Sequence, residues 1–196
     1  MYNNKKQKRY DYMEATRSRE AKFKAKRVKA ILFDVDGVLT NGSIVFDANG
    51  EEIKTFNSKD GQIISHLQRM GFKLGIITGR ESKAVRNRCK SLKLDFAHHG
   101  VENKKKSFDE FKDLFGFDED EIAYIGDDII DLKVLISCGF SGTPNDAFSY
   151  MRKNVDFICS KNGGAGAFRE FADYIIESQG LMSTLIKSCK NGEAFE

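Results

Sequence analysis

The sequence has few of the residues that build zinc sites and disulfide frameworks. It contains three histidines and four cysteines, with no C-x-x-C pair, and His98-His99 has no carboxylate or cysteine partner at metal spacing. No apolar run is as long as a membrane span, and no signal-peptide pattern opens the chain. We therefore expect a cytoplasmic protein with no membrane partner, whose thiols are reduced at Cys89, Cys138, Cys159 and Cys189.

The basic residues are unevenly distributed along the chain. Residues 1–29 hold 11 Lys and Arg against 3 Asp and Glu, whereas the remainder holds 21 against 26. Such an arm could be a solvated helix, a disordered extension, or a nucleic-acid or membrane contact. It lacks the interleaved aromatic residues and glycines of a nucleic-acid platform. We therefore favour a solvated or subunit-contacting extension and expect no nucleic-acid partner.

Strand-like runs alternate with helical patterns from residue 30 onward. The predicted strands are 30–35, 73–77, 95–97, 121–125, 140–142 and 156–159, and the predicted helices are 60–70, 82–91, 104–115, 128–137, 147–151 and 167–179. Alternating units of this kind predict an α/β fold with a doubly wound parallel sheet, which binds ligands at the carboxyl ends of its strands. The predicted domain spans residues 30–180, between the basic extension 1–29 and a tail 181–196.

One segment interrupts the alternation. Residues 43–46 and 51–56 flank Asn49-Gly50, a strong signal for a β-hairpin. An isolated two-stranded hairpin is marginal in water. No large insertion follows that could form a cap domain. We therefore expect a hairpin flap without a cap domain, packed against a neighbouring subunit through Ile44, Phe46, Ile53 and Phe56.

Polar residues follow three of the predicted strands. The first strand ends at Asp34 and Asp36, the second at Thr78-Gly79-Arg80, and the fourth at Gly126-Asp127-Asp128, with Asp131 one helical turn later. A D-x-D-G string by itself could be a plain turn. Because the carboxyl ends of parallel strands meet at one edge of the sheet, these residues are predicted to lie together.

The chemistry that suits this set is phosphoryl transfer. Mg²⁺ prefers oxygen ligands, and Asp34 and Asp127 can supply carboxylates from two strand ends. A carboxylate beside the metal can attack phosphorus, and Asp36, two residues on, could protonate the leaving oxygen and later deprotonate water. The Thr78 hydroxyl and the Gly79 amide favour a phosphate oxygen. A lysine is also wanted, and Lys104, Lys105 and Lys106 are candidates, although their spacing equally suits a solvated face.

This arrangement resembles the haloacid-dehalogenase-like phosphatases over residues 28–180. The four motifs of that superfamily match Asp34–Thr40, Ile77–Arg80, Lys104 and Gly126–Asp131, in that order. The resemblance implies a nucleophile at Asp34, a general acid/base at Asp36, and phosphate contacts at Thr78 and Lys104. It also implies that Mg²⁺ is held by Asp34, the backbone carbonyl of Asp36 and Asp127, with Asp128 and Asp131 as supporting acids.

Within the superfamily the chain is most similar to the capless tetrameric group. That group contains the 3-deoxy-D-manno-octulosonate 8-phosphate phosphatases, their sialic-acid-type relatives and phosphatase-like modules of cytidylyltransferases. The resembling stretches are 49–61, 77–80 and 163–170. The resemblance implies a phosphatase of lipopolysaccharide biosynthesis, and a homotetramer in which each hairpin covers a neighbouring site. It places substrate contacts at Asn57, Lys59, Asp60, Gly61, Arg80 and Arg88, and a guanidinium at position 80 suits a sugar-acid carboxylate.

Two departures leave the substrate open. Ala165 stands where the octulosonate group usually has an arginine in its late glycine motif, and the basic extension is longer than usual. A 2-keto-3-deoxynononate or sialate 9-phosphate is therefore an alternative substrate. From other classes, a phosphoacceptor receiver domain carries its acidic pair before the phosphorylated aspartate, which is the wrong order here. A non-catalytic module associated with a cytidylyltransferase would not need the complete set of catalytic residues.

Overall fold

A computed structural model describes residues 19–192 of the chain. Six strands, β1 (Ala30–Phe33), β4 (Lys73–Ile77), β5 (Phe96–His98), β6 (Ile122–Ile125), β7 (Phe140–Thr143) and β8 (Phe157–Ile158), form one parallel sheet in the order β5-β4-β1-β6-β7-β8. Strands β2 (Val45–Phe46) and β3 (Glu52–Ile53) pair separately as an antiparallel hairpin. The predicted α/β fold, with a parallel sheet and a hairpin flap, is confirmed, and residues 19–192 contain no cap domain.

Helices flank the sheet. They are α1 (residues 19–25), α2 (Ser58–Arg69), α3 (Lys83–Leu92), α4 (Lys104–Phe115), α5 (Leu132–Leu135), α6 (Ser149–Arg152), α7 (Ala167–Ser178) and α8 (Met182–Asn191). The helix predicted over 128–137 is a 3-10 turn, Ile129–Asp131, followed by the short α5. Its start is tightened because the Asp131 carboxylate accepts hydrogen bonds from the amides of Asp127 and Asp128. Among residues 19–192 no helix has the length and apolar character needed to cross a bilayer.

The strand β1 lies at the centre of the core. All four of its residues are buried, because helices cover both faces of the sheet. On one face Phe33 packs against Phe168 of α7, with ring centroids 4.5 Å apart. On the other, Phe96 and Phe111 of α4 meet edge to face at 5.3 Å. Burial of each such aromatic side chain contributes roughly 1.5–3 kcal/mol, which fixes the strand ends where the polar residues follow.

The packed part of the chain extends beyond residues 30–180. Ala21 and Ala25 of α1 are buried, and Lys24 of the same helix lies 2.6 Å from Asp156. The two alanines are four residues apart, so they lie on one side of α1 and give this basic helix a small apolar face. At the other end, Leu185 of α8 is buried, where the sequence suggested only a tail. The predicted arm before residue 19 lies outside the described residues.

The hairpin is shorter than predicted, with two residues in each strand. The Asp47 carboxylate accepts hydrogen bonds from the amides of Asn49 and Glu51, and Gly50 adopts a φ of 79° that favours glycine. Phe56 packs against the core of its own chain and needs no other surface. The apolar residues that stay exposed are Ile44, Val45, Phe46 and Ile53.

Candidate active site

The parallel register of the sheet aligns the carboxyl ends of β1, β4 and β6. Phe33 at the end of β1 pairs with Ile76 of β4 and Ile125 of β6, and the Asp34 amide donates to the Ile125 carbonyl at 3.0 Å. The residues that follow these strands therefore share the carboxyl edge. Asp34 and Thr78 are buried there, and Asp127 lies beside them.

Three carboxylates converge at this edge. One oxygen from each of Asp34, Asp127 and Asp131 lies within 4.8 Å of the others. A Cβ atom at Gly37 would stand 2.0 Å from Asp127 Oδ2, so only a residue without a side chain lets the first loop approach this carboxylate. Gly37 also has a φ of 87°, which L side chains rarely adopt. The glycine of the D-x-D-G motif is therefore required by the site.

Lys104 enters the cluster from the first turn of α4. Its side chain is buried, and Nζ lies 2.7 Å from Asp131 Oδ1 and 3.0 Å from Asp34 Oδ1. The Tyr124 hydroxyl donates to the same Asp131 oxygen at 2.6 Å. Lys105 instead pairs with Asp109, and Lys106 is exposed. Among the lysines that open this helix, Lys104 is the one that faces the carboxylates.

The electrostatics of the cluster are strongly perturbed. Burial raises the pKa of Asp34 to about 7, with Asp131 adding to the shift and Lys104 opposing it. Burial and the charge of Asp34 raise the pKa of Asp127 to about 8. Burial alone would lower the pKa of Lys104, but the attraction of Asp34 and Asp131 raises it above its ordinary value. The single ammonium therefore leaves the carboxylates with uncompensated negative charge.

The residues present fit a divalent cation. Both Asp131 oxygens already accept hydrogen bonds, from Lys104 and Tyr124 on one and from two amides on the other. By contrast, Asp127 Oδ1 is buried and accepts no hydrogen bond from the described residues, and Asp34 Oδ1 is paired with the Lys104 ammonium at 3.0 Å. Carboxylate oxygens in a negatively charged pocket are the ligand atoms that Mg²⁺ prefers. The set therefore favours Asp34 and Asp127 as ligands and Asp131 as a supporting acid.

Asp36 points toward the hairpin rather than into the carboxylate cluster. Its Oδ1 accepts hydrogen bonds from Lys54 Nζ at 2.5 Å and from Thr40 Oγ1 at 3.1 Å, and Arg80 Nε lies 3.8 Å from Oδ2. Glu52 contacts both Lys54 and Arg80. Sequence reasoning did not identify Lys54 or Glu52. Their alternation with Ile53 was the available signal, because it places both charges on one face of the strand.

A second cluster holds the other predicted substrate contacts. Asn57 caps α2, and its side chain donates to the Gly164 carbonyl at 3.4 Å. Asp60 is buried and accepts from the Arg169 amide, while Arg88 lies directly over Gly61, where a Cβ would meet its guanidinium at 2.2 Å. Within the part of the chain that the structure describes, no hydrogen bond or ion pair joins this cluster directly to Asp34 or Asp127. Lys59 is exposed beside it.

The late glycine loop connects the two clusters. A Cβ at Gly163 would stand 1.9 Å from the Gly37 carbonyl oxygen, and one at Gly164 would stand 2.7 Å from the Asn41 amide. The Gly164 amide also donates to the Val38 carbonyl. This contact braces the loop that carries Asp36. Ala165 next to it is exposed.

The remaining predicted residues lie at the rim. Gly79 and Arg80 are exposed after β4, and the Arg80 amide is 3.5 Å from the Thr78 hydroxyl oxygen. Asp128 is exposed and accepts from the Ile129 amide, which caps the following 3-10 turn. Asp128 therefore supports the backbone around Asp127, and in the described chain it forms no hydrogen bond or ion pair with Asp34 or Lys104.

Comparisons with known proteins point in one direction. No protein-family model matches the chain. The 3-deoxy-D-manno-octulosonate 8-phosphate phosphatase KdsC of Haemophilus influenzae is 39% identical over 161 residues, which are 82% of this chain and 89% of that protein. The Escherichia coli K12 protein of the same name is 36% identical over 159 residues, 81% of this chain and 85% of the relative.

Solved structures agree with the sequence relatives. The 3-deoxy-D-manno-octulosonate 8-phosphate phosphatase of Moraxella catarrhalis, solved with a magnesium ion, a phosphate ion and a KDO molecule, has a TM-score of 0.84 and 34% identity. The similarity covers 86% of this chain and 97% of that one. A haloacid-dehalogenase superfamily hydrolase of Legionella pneumophila has a TM-score of 0.87 at 30% identity, covering 92% and 99%.

Proposed function

Because the chain belongs to the 3-deoxy-D-manno-octulosonate 8-phosphate phosphatase family of haloacid-dehalogenase-like enzymes, we propose that it hydrolyses the phosphate ester of this octulosonate in a Mg²⁺-dependent reaction. The observation that carries the proposal is the carboxyl edge itself. There, Asp34 and Asp127 each present a buried carboxylate oxygen beside the single Lys104 ammonium, and that of Asp127 accepts no hydrogen bond from the described residues. A bound divalent cation there would be held by Asp34, Asp127 and the Asp36 carbonyl, and would withdraw charge from the transferred phosphoryl group.

The residues of the chain divide the reaction into two steps. In the first, an oxygen of Asp34 attacks phosphorus, the ester P–O bond breaks, and Asp36 gives its proton to the departing sugar oxygen. In the second, Asp36 takes a proton from water, the water oxygen attacks the phosphorus of the acyl phosphate, and the Asp34 carboxylate leaves. Lys104 and the Thr78 hydroxyl hold the phosphoryl oxygens while charge develops on them.

Recognition of the sugar acid is assigned to the rim. Arg80 lies between the catalytic loop and the hairpin and can pair with a carboxylate in a bidentate way. Gly79 offers its amide to the phosphate, and Asn57, Lys59, Gly61 and Arg88 supply the remaining contacts with the sugar. Asp60, predicted as a further contact, is buried and instead holds the Arg169 amide behind them. Ala165 favours a second candidate substrate, a nonulosonate 9-phosphate, because it removes a cation that octulosonate enzymes usually carry.

The assembly that completes this site is a homotetramer in which each hairpin covers a neighbouring site. Support comes from the exposed side chains of Ile44, Val45, Phe46 and Ile53, which the described part of the chain leaves uncovered. The enzyme would work in the cytoplasm, in the biosynthesis of lipopolysaccharide.

Phosphate release tests the proposal directly. Purified protein with Mg²⁺ is assayed against octulosonate 8-phosphate, nonulosonate 9-phosphates and a panel of other sugar phosphates. We expect the highest kcat/KM on the octulosonate ester and no turnover after the metal is removed with a chelator. Turnover of none of the esters by folded, Mg²⁺-loaded protein would refute the proposed function.

A further inference from the structure

Lys54 is a buried charge outside the residues assigned above. It follows β3 at the root of the hairpin, and its side chain is only 1% exposed. Its Nζ lies 2.5 Å from Asp36 Oδ1 and 3.2 Å from Glu52 Oε1. A lysine is rarely buried to this extent, and burial of an ammonium is tolerated only when carboxylates pair with it. The pairing partner here is the residue assigned to proton transfer.

The two oxygens of Asp36 have different surroundings. Oδ1 accepts hydrogen bonds from both Lys54 and Thr40, whereas Oδ2 is buried and accepts none from the described residues. Arg80 Nε, 3.8 Å from Oδ2, is too distant for a hydrogen bond. Two donors therefore fix Oδ1, and Oδ2 is the oxygen left free to carry the proton.

Glu52 anchors Lys54 to the body of the domain. It contacts Lys54 Nζ at 3.2 Å and Arg80 Nη2 at 3.4 Å, so that one carboxylate holds both cations. A hydrogen bond from Ser82, the residue that caps α3, is the main reason that the pKa of Glu52 lies below its ordinary value. The chain of contacts runs from α3 through Glu52 and Lys54 to Asp36.

We propose that Lys54 is a positioning residue that fixes the Asp36 carboxylate through Oδ1, so that Oδ2 faces the ester oxygen. This inference rests on the proposed function, because it concerns the proton transfer of that reaction. The proton on Oδ2 passes to the sugar oxygen as the P–O bond breaks and the bond from Asp34 to phosphorus forms. Lys54 itself exchanges no proton and does not contact the reacting atoms.

A comparison of two leaving groups tests the proposal. A sugar alkoxide must be protonated as it departs, whereas 4-nitrophenolate leaves without a proton. Single-turnover rates of octulosonate 8-phosphate cleavage and burst rates of nitrophenolate release are measured for wild type, Lys54→Met and Lys54→Arg. Lys83→Met is the matched control. Lys83 also pairs with a glutamate beside the hairpin strand β3, Glu51, but its side chain is 82% exposed.

We expect Lys54→Met to lower the sugar-phosphate rate by about 10²-fold, the scale of general acid catalysis. The nitrophenolate burst should stay within about 3-fold of wild type, and KM should change little, because uniform binding is retained. Lys54→Arg, which keeps the charge, should recover part of the loss. Lys83→Met should behave as wild type with both esters.

Equal losses with both esters, or an unchanged sugar-phosphate rate in Lys54→Met, would overturn the role of Lys54. Should Lys54→Met not fold, as judged by circular dichroism, Glu52→Gln provides the second test, with a smaller loss that again depends on the leaving group. A Glu52→Gln variant with no such dependence would also overturn it. Absence of wild-type activity on either ester would instead refute the proposed function, so the two failures are distinguishable.

Discussion

The carboxyl edge of the sheet and the β2–β3 hairpin differ in how much of their surface the chain itself covers. At the edge, Asp34, Lys104 and Asp131 are buried, and their charges oppose one another. On the hairpin, Phe46 is 57% exposed and Ile53 is 51% exposed, and each strand has two residues. Within residues 19–192 the hairpin meets the edge through its polar root, where Lys54 contacts Asp36 and Glu52 contacts Arg80. The contrast fits the proposal that one chain builds the phosphoryl-transfer centre, whereas another subunit covers the exposed side of the hairpin.

Replacement of Asp34, the proposed nucleophile, is the strongest way to break the comparison. Asp34→Asn keeps the shape of the side chain but removes the attacking oxygen anion, so kcat should fall by about 10⁴-fold or more. The thermal unfolding midpoint should not decrease, because an uncompensated buried charge is removed as well. Phosphate release and calorimetry on the same sample measure both effects. Retained turnover would show that another residue attacks phosphorus.

Removal of the buried Lys104 ammonium should have the next largest effect. It should lower both the stability of the protein and the reaction rate. Lys104→Met leaves Asp34 and Asp131 without a positive partner, and the loss of one member of a buried pair typically costs about 3–5 kcal/mol. Lys105→Met is the matched control, since Lys105 pairs with Asp109 nearer the surface and should cost under about 1 kcal/mol. Urea unfolding measures the two values. Similar costs for both variants would contradict the buried network.

The sequence predicts the edge much better than it predicts the hairpin. Asp34, Thr78 and Asp127 lie within two residues after apolar strands, and parallel register brings them together. Lys54 could not be found in this way, because its contact with Asp36 spans 18 residues and depends on how the hairpin folds back over the edge. For the same reason the alternation of Glu52 and Lys54 could have indicated a shared strand face, but not what that face contacts.

The sequence patterns also did not predict that helices at the two ends of the domain pack against it. A helix such as α1 shows only Ala21 and Ala25 as its apolar face, and small residues give a weak periodic signal among many lysines. The helix predicted over 128–137 is shortened because side chains of Asp128 and Asp131 accept hydrogen bonds from backbone amides at the start of the 3-10 turn that precedes α5. Local side-chain bonds of this kind compete with a regular helix and leave little trace in hydrophobic spacing.

A pH titration sharpens the comparison by reporting on Asp60, a buried acid behind the edge. Burial raises its pKa to about 6 from 3.8 in the unfolded chain. The folded state therefore binds this proton more tightly than the unfolded chain does. The stabilisation that comes from protonated Asp60 is fully present below pH 4 and is lost as pH rises through about 6. In wild type, unfolding free energy should fall across that window by roughly 3 kcal/mol from this group, because one pKa unit corresponds to about 1.4 kcal/mol.

Asp60→Asn is the variant that isolates this contribution. The amide does not titrate, so the difference in unfolding free energy between variant and wild type should change between pH 4 and 6.5 and stay constant above it. Chemical unfolding at several pH values, with Mg²⁺ removed by chelator, gives the measurement. A constant difference across the whole range would mean that Asp60 titrates normally in the folded protein.

The smallest effect on the stability of the folded chain is expected from the exposed apolar residues of the hairpin strands. Phe46→Ser and Ile53→Ser change exposed side chains, and exposed substitutions usually alter the stability of a chain by no more than about 0.5 kcal/mol. The association of chains should weaken instead, and light scattering coupled to size exclusion should give a smaller mass than for wild type. Leu114→Ser, on an exposed apolar residue of α4, is the control. An unchanged mass in the hairpin variants would contradict the idea that this face is covered by another subunit.

The central claim is that Asp34 carries the phosphoryl group and Asp36 moves the proton. Borohydride trapping in Asp36→Asn tests it most directly, because an aryl phosphate can still phosphorylate the enzyme while hydrolysis of the acyl phosphate lacks its base. After a rapid quench, borohydride reduces an aspartyl phosphate to homoserine, which mass spectrometry locates. We predict homoserine at position 34 and none at 127, 128 or 131. Homoserine at one of those positions, or at none in an enzyme that releases nitrophenolate in a burst, would contradict the account.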